Sequence, residues 1–190
     1  MDRKNKNLSR SDFLLGSIGT VILADSSLHC ASGDIKLVRD VKLASLDEAL
    51  KELQKLEKAK RVFVPGLWNL NQVLAHCAQS IEYSITGYPK NKSVIIRKTV
   101  GKLVLMAFLS KGKMSHNLND PIPGAPSLPT KEDYFEGLDR LKAAIQKFKE
   151  AKEPLAPHFV YDALSKADYD RVHAMHIADH LSAVELRDEY

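Results

Sequence analysis

The sequence predicts an all-α protein, an antiparallel four-helix bundle with an additional helix and a long proline-rich loop. Three observations carry this. Apolar residues recur at helical spacing in successive stretches between residues 45 and 182. Helix-capping residues open those stretches, and glycines or prolines close several of them. Alternating strand patterns are nearly absent. Facing helices of a bundle bury their apolar stripes together and build sites in the shared core.

The elements follow in order. Ile35, Leu37, Val38, Val41 and Leu43 mingle with charges, as a short strand or an extended lead-in would. Ser45-Leu-Asp-Glu48 is a capping box opening a helix to about Lys58, and Arg61-Val-Phe-Val-Pro-Gly66 breaks the pattern. Asn69-Leu-Asn-Gln72 repeats the capping logic for a helix to about Thr86, with Gly87 as its stop. Its apolar face is Val73, Leu74, Cys77, Ile81 and Ile85; Gln72, His76, Gln79 and Tyr83 form the adjacent stripe. Val94 to Leu109 predicts a third helix, interrupted by Arg97, Lys98 and Lys102. Lys111 to Pro129 is a loop held extended by Pro121-Ile-Pro-Gly-Ala-Pro126. Loops of this length inside domains are often functional. A fourth helix starts at Thr130-Lys-Glu-Asp133 and runs to about Ala151; Ser165-Lys-Ala-Asp168 caps the last one.

The N-terminus differs in composition. Residues 2–10 are polar and net basic, Phe13 to Ala24 is apolar, and small and polar residues follow to Gly33. That order is the grammar of an export signal, so residues 1–33 are read as a signal-like or disordered segment and residues 34–190 as the helical domain. Ser9-Arg-Ser-Asp-Phe-Leu-Leu15 resembles a twin-arginine motif with Ser11 in place of the second arginine. The expected location is periplasmic or exported, with membrane contact only through this segment if it is uncleaved; the alternative is cytoplasmic. The net charge of +4 is modest, and no basic stripe interleaved with aromatics exists, which argues against nucleic acid. Cys30 and Cys77, the two cysteines, fit no zinc-ribbon or redox spacing.

The chemistry concentrates in the last helix. His173, His176 and His180 are three of seven histidines and fall within eight positions. Their spacing places them along one helical stripe, and His176 and His180 lie one turn apart. Two such imidazoles can share a metal ion, and His76 on the second predicted helix offers a third nitrogen. Three neutral imidazoles favour Zn, Ni, Cu or Fe. Three protein ligands also leave a coordination position open, as in catalytic sites. The spacing lacks the Glu of a zinc-protease motif. Asp179 and Asp170 are candidates to orient an imidazole, against the blander reading of solvated helix charges. His158, Tyr83 and Gln79 are candidate wall groups, against the blander readings of a loop cap, a core aromatic and a hydrogen-bonded helix amide. His173 is expected at the rim of the site.

Trp68-x-x-x-Gln72-Val-Leu-Ala-His76, followed by His173-x-x-His176-x-x-x-His180, resembles the DinB/YfiT-like superfamily. Gln79-Ser-Ile-Glu-Tyr-Ser-x-x-Gly87-Tyr-Pro89, Pro123-Gly-Ala-Pro126, Pro157-His158 and Leu164-Ser-Lys are similar to one bacterial branch of it, the domain of unknown function 1569. The likeness covers about residues 36–188. It implies a four-helix bundle with three histidines on a divalent metal, matched here by His76, His176 and His180, with His173 a further histidine of less defined role. Superfamily members include thiol-dependent transferases and isomerases and metal-dependent hydrolases. The resemblance therefore implies a metalloenzyme, a hydrolase or thiol transferase using Zn or Ni on an unknown small molecule, with a homodimer an open option. The alternative is a non-enzymatic metal or small-ligand binder of the bacterial envelope.

Overall fold

Side-chain caps set three of the helix starts. Ser45 accepts from the Glu48 N–H, Ser165 from the Asp168 N–H, and Asn69 from the Gln72 N–H, while the Gln72 side chain accepts in return from the Asn69 N–H. Each satisfies backbone donors that a helix start leaves unpaired. The computed structural model describes residues 37–187, so the expectations for residues 1–33 lie outside the described residues.

The chain is mainly helical. In order come α1 (Leu46–Lys58), β1 (Arg61–Phe63), α2 (Leu70–Thr86), α3 (Val94–Ile96), a π-helical turn (Arg97–Gly101), α4 (Lys102–Lys111), α5 (Phe135–Glu150), α6 (Lys166–Ser182) and β2 (Glu185–Arg187). α2 packs on α5 and α6, and α1 on α6 and α5. One apolar core joins these four long helices, with Leu53, Leu74, Ile81, Leu141, Ile145, Ile177 and Leu181 fully enclosed. Gly137 lets α5 approach α2: a Cβ there would lie 2.6 Å from Asn71 Oδ1 and 2.8 Å from the Asn71 carbonyl oxygen.

Two features correct the sequence reading. A small antiparallel pairing, Arg61 with Arg187 and Phe63 with Glu185, joins β1 to β2, so the chain is not purely α. The third predicted helix forms over residues 94–111 but is not regular: a π-turn lies within it, and Gly112, in a left-handed conformation, ends α4. Residues 37–44 form an extended lead-in and not a strand, with the Val38 and Arg39 N–H groups both donating to the Ser182 carbonyl.

Arg39 fixes the end of α6. Its guanidinium donates to the carbonyls of Val184 and Leu181 and pairs with the buried Glu52 of α1 at 2.8 Å. Burial pushes the Glu52 carboxyl upward, but Lys55 and Arg39 outweigh it and hold it below its ordinary value. The last turn of α6, which carries His180, is thereby tied to α1.

Candidate metal centre

Every residue of α6 from Val172 to Ser182 is buried, so its histidines project into protein whichever way they face. His176 and His180 stand one turn apart with ring centroids separated by 4.8 Å. α2 presents His76 to both, at 5.1 Å from His176 and 4.9 Å from His180. The three residues selected from the sequence therefore meet. A fourth, His116, joins them from the loop between α4 and α5, at 5.0 Å from both His176 and His180. One nitrogen from each of His76, His116, His176 and His180 lies within 4.8 Å of the others.

His116 was missed in the sequence because a loop has no periodicity to expose it. Met114, Leu118 and Ile122 are buried on either side and pin the segment. Asn117 then closes a turn, accepting from the Asn119 N–H and donating to Asp120. Asp179 Oδ2 accepts from both the backbone N–H and ring Nδ1 of His116, at 3.1 and 2.8 Å. Asp179 is 3% exposed, which corrects the solvated-charge reading: it orients an imidazole, that of His116. Asp170 does not, since its carboxylate accepts from the Leu46 N–H.

Burial keeps three members of the cluster unprotonated, the form in which an imidazole binds a metal. Burial pushes His76 down to about 3, with the His116 ring adding to the effect, and pushes His176 and His180 well below the ordinary imidazole range. Their rings are neutral near pH 7 and their lone pairs free. His76 Nδ1, His116 Nε2 and His180 Nε2 are buried without a hydrogen-bond partner. Buried polar atoms are rarely left so, because each costs about 1–3 kcal/mol. Converging imidazole nitrogens that lack partners are the donor set of a borderline transition-metal ion. The donors thus fit such an ion. Trp68 closes one side, its ring 5.0 Å from His76 and nearly parallel to His180 at 6.4 Å.

On the other side lies a cavity of about 340 Å³ with His76, His116 and His176 in its lining. Its walls are largely apolar, from Met114, Ile122, Phe159, Val160 and Val172, with Ser80, Lys92, Asp120 and His158 as polar groups. His158 both caps and lines: its Nδ1 accepts from the N–H groups of Val160 and Tyr161, and its ring borders the cavity. Asp162 holds this loop in a left-handed conformation with φ of 64°. Gln79 is a hydrogen-bonded amide, donating to the Pro126 carbonyl and anchoring the proline-rich loop. Tyr83 is half-buried, lies tilted against Tyr88 and does not line the cavity. His173 is not at the rim. It is 1% exposed in the core, stacked on Tyr169 at 5.2 Å and edge-on to Phe148 at 5.4 Å, with both ring nitrogens unpartnered. Cys77 is buried, and burial lifts its thiol far above the ordinary range, so it is no nucleophile.

Fold and site together define a mainly helical protein with a four-histidine cluster, three members of which line a largely apolar cavity. The chain belongs to the family described as Protein of unknown function (DUF1569), whose model matches residues 36–187. No curated protein and no solved structure matches the chain.

Proposed function

We propose that this chain is a DinB-like metalloenzyme whose four long helices form the superfamily's bundle and whose histidine cluster holds one divalent ion, Zn²⁺ or Ni²⁺. The observation that carries this is the convergence of four imidazoles with three buried, unpartnered nitrogens among them. His76, His176 and His180 supply donors from rigid helices, and His116 supplies one from the loop. The Asp179 carboxylate fixes the proton of His116 on Nδ1 and leaves Nε2 as the donor. As a buried anion, Asp179 also offsets part of a cation's charge. When bound, such an ion lowers the pKa of a water or thiol and polarises a carbonyl.

The remaining residues bind and orient. The apolar walls exclude water and take an apolar substrate group. Because His158 Nδ1 accepts two backbone bonds, its neutral ring keeps its proton on Nε2, a donor for a substrate oxygen in the cavity. Hydrolysis of an ester or amide is the reaction class that asks least of this chain; thiol transfer needs a cosubstrate that Cys77 cannot replace. The export grammar of residues 1–33 favours the hydrolytic reading, because a cytosolic thiol would be absent outside the cell.

A second reading has its own observation. His116 raises the donors to four, which would complete a tetrahedral set and suit a protein that holds a metal without turning over substrate. Turnover of aryl esters by zinc-loaded protein and by chelator-stripped protein separates the two. The enzyme reading expects hydrolysis that is lost on stripping and in His176→Ala. Zinc-loaded protein inert toward every ester and amide offered would leave the holding role.

A further inference from the structure

α4 reads Lys102-Leu-Val-Leu-Met-Ala-Phe-Leu-Ser-Lys111 and is apolar around most of its circumference. Such a helix is ordinarily enclosed by protein or lipid. Here Leu105 is the one buried residue of α4, and Gly101 that of the π-turn. Ile95 is 76% exposed, Leu103 67%, Met106 65% and Val100 58%. The inner side docks tightly on the loop carrying His158. Arg97 pairs with Asp162 at 2.8 Å, and a Cβ on Gly101 would come within 2.0 Å of the Val160 carbonyl oxygen. The outer side meets nothing among the described residues.

Charge says what covers it. Between Glu82 and Asp120 the sequence has no acidic residue and seven basic ones: Lys90, Lys92, Arg97, Lys98, Lys102, Lys111 and Lys113. Lys98 and Lys111 are exposed and make no ion pair among the described residues. A second copy seated on this face would set the same cations against each other without an acid to pair them. An anionic bilayer complements both parts: exposed aliphatics enter the acyl boundary while flanking lysines reach lipid phosphates. No helix among the described residues is long and apolar enough to cross a membrane, so the segment lies on the surface.

We propose that the outer face of α3, the π-turn and α4 docks this protein on an anionic lipid surface. Lys92, just before α3, and Met114, just after α4, both line the cavity. Docking therefore brings the cavity mouth beside the bilayer.

The test is co-sedimentation of the full chain with phosphatidylcholine vesicles, with and without phosphatidylserine, at low and high salt. Binding is expected only with phosphatidylserine and falls as salt rises. Lys98→Gln combined with Lys111→Gln weakens partition about 25-fold, at about five-fold per cation. Leu103→Ser combined with Met106→Ser abolishes it, and thermal melting is unchanged because all four side chains are exposed. Absence of vesicle binding, equal binding to neutral vesicles, or binding that both variants leave intact overturns the proposal. So does a dimer in sedimentation velocity that Leu103→Ser with Met106→Ser dissociates, since the face would then belong to a second copy.

Discussion

Asp179 Oδ2 accepts two hydrogen bonds from one residue, the backbone N–H and the ring Nδ1 of His116. A buried carboxylate on α6 thus places a loop histidine against His176 and His180, which share its helix. Asp179→Asn removes the charge and the fixed tautomer while keeping the volume. Metal affinity is expected to fall about 10–100-fold. Competition against a chromophoric chelator measures it, with helical circular dichroism as the control. Unchanged affinity would mean that His116 is not a ligand.

His173 is the α6 histidine that the cluster does not use. Both its nitrogens are buried without partners between Phe148 and Tyr169. His173→Phe is expected to stabilise the fold by about 1–3 kcal/mol by removing unsatisfied polar atoms. Denaturant unfolding measures this, and metal content should be unchanged. Loss of metal in this variant would return His173 to the ligand set.

The metal-free protein should be acid-sensitive. Burial holds His173 and His76 at about 3 in the fold, whereas a histidine in the unfolded chain titrates near 6.5. Between those values the unfolded state binds more protons, so stability falls as pH falls from about 6.5 toward 3. The slope is on the order of 1.4 kcal/mol per pH unit for each such histidine. Above about 6.5 they add no pH dependence. Unfolding midpoints across this range should show the slope, and His173→Phe should remove one histidine's share. A flat profile would contradict the burial of neutral rings.

Gly101→Ala places a Cβ within 2.0 Å of the Val160 carbonyl oxygen, a backbone atom that cannot swing away. A cost of about 1–3 kcal/mol is expected, read as a lower melting temperature. An unchanged melting temperature would show that the π-turn does not rest on the loop.

Much of this architecture was legible because its determinants are local. Ser45, Asn69 with Gln72, and Ser165 cap their own helices, and Gly87 with φ of 101° stops α2. The juxtaposition of His176 and His180 was legible from helical spacing, and the addition of His76 from the resemblance to the DinB/YfiT-like motif. His116 was not, because its place depends on the burial of Met114, Leu118 and Ile122 and on a carboxylate 63 residues away. The available hint was Asp179, an acid on a stripe bordering apolar residues, which needed a partner. The rim position expected for His173 failed because α6 is enclosed on all sides from Val172 to Ser182, so one stripe does not separate rim from core. The pairing of β1 with β2 joins residues 61–63 to residues 185–187, beyond the reach of any local pattern.

The proposed function stands or falls on four histidines holding one metal ion. Its most direct test is elemental analysis of protein purified without affinity nickel or added metal. About one equivalent of a divalent transition metal per chain is expected, lost in His176→Ala with the helical signal retained. Wild-type protein that carries no metal, and takes none up from zinc or nickel at neutral pH, would contradict it.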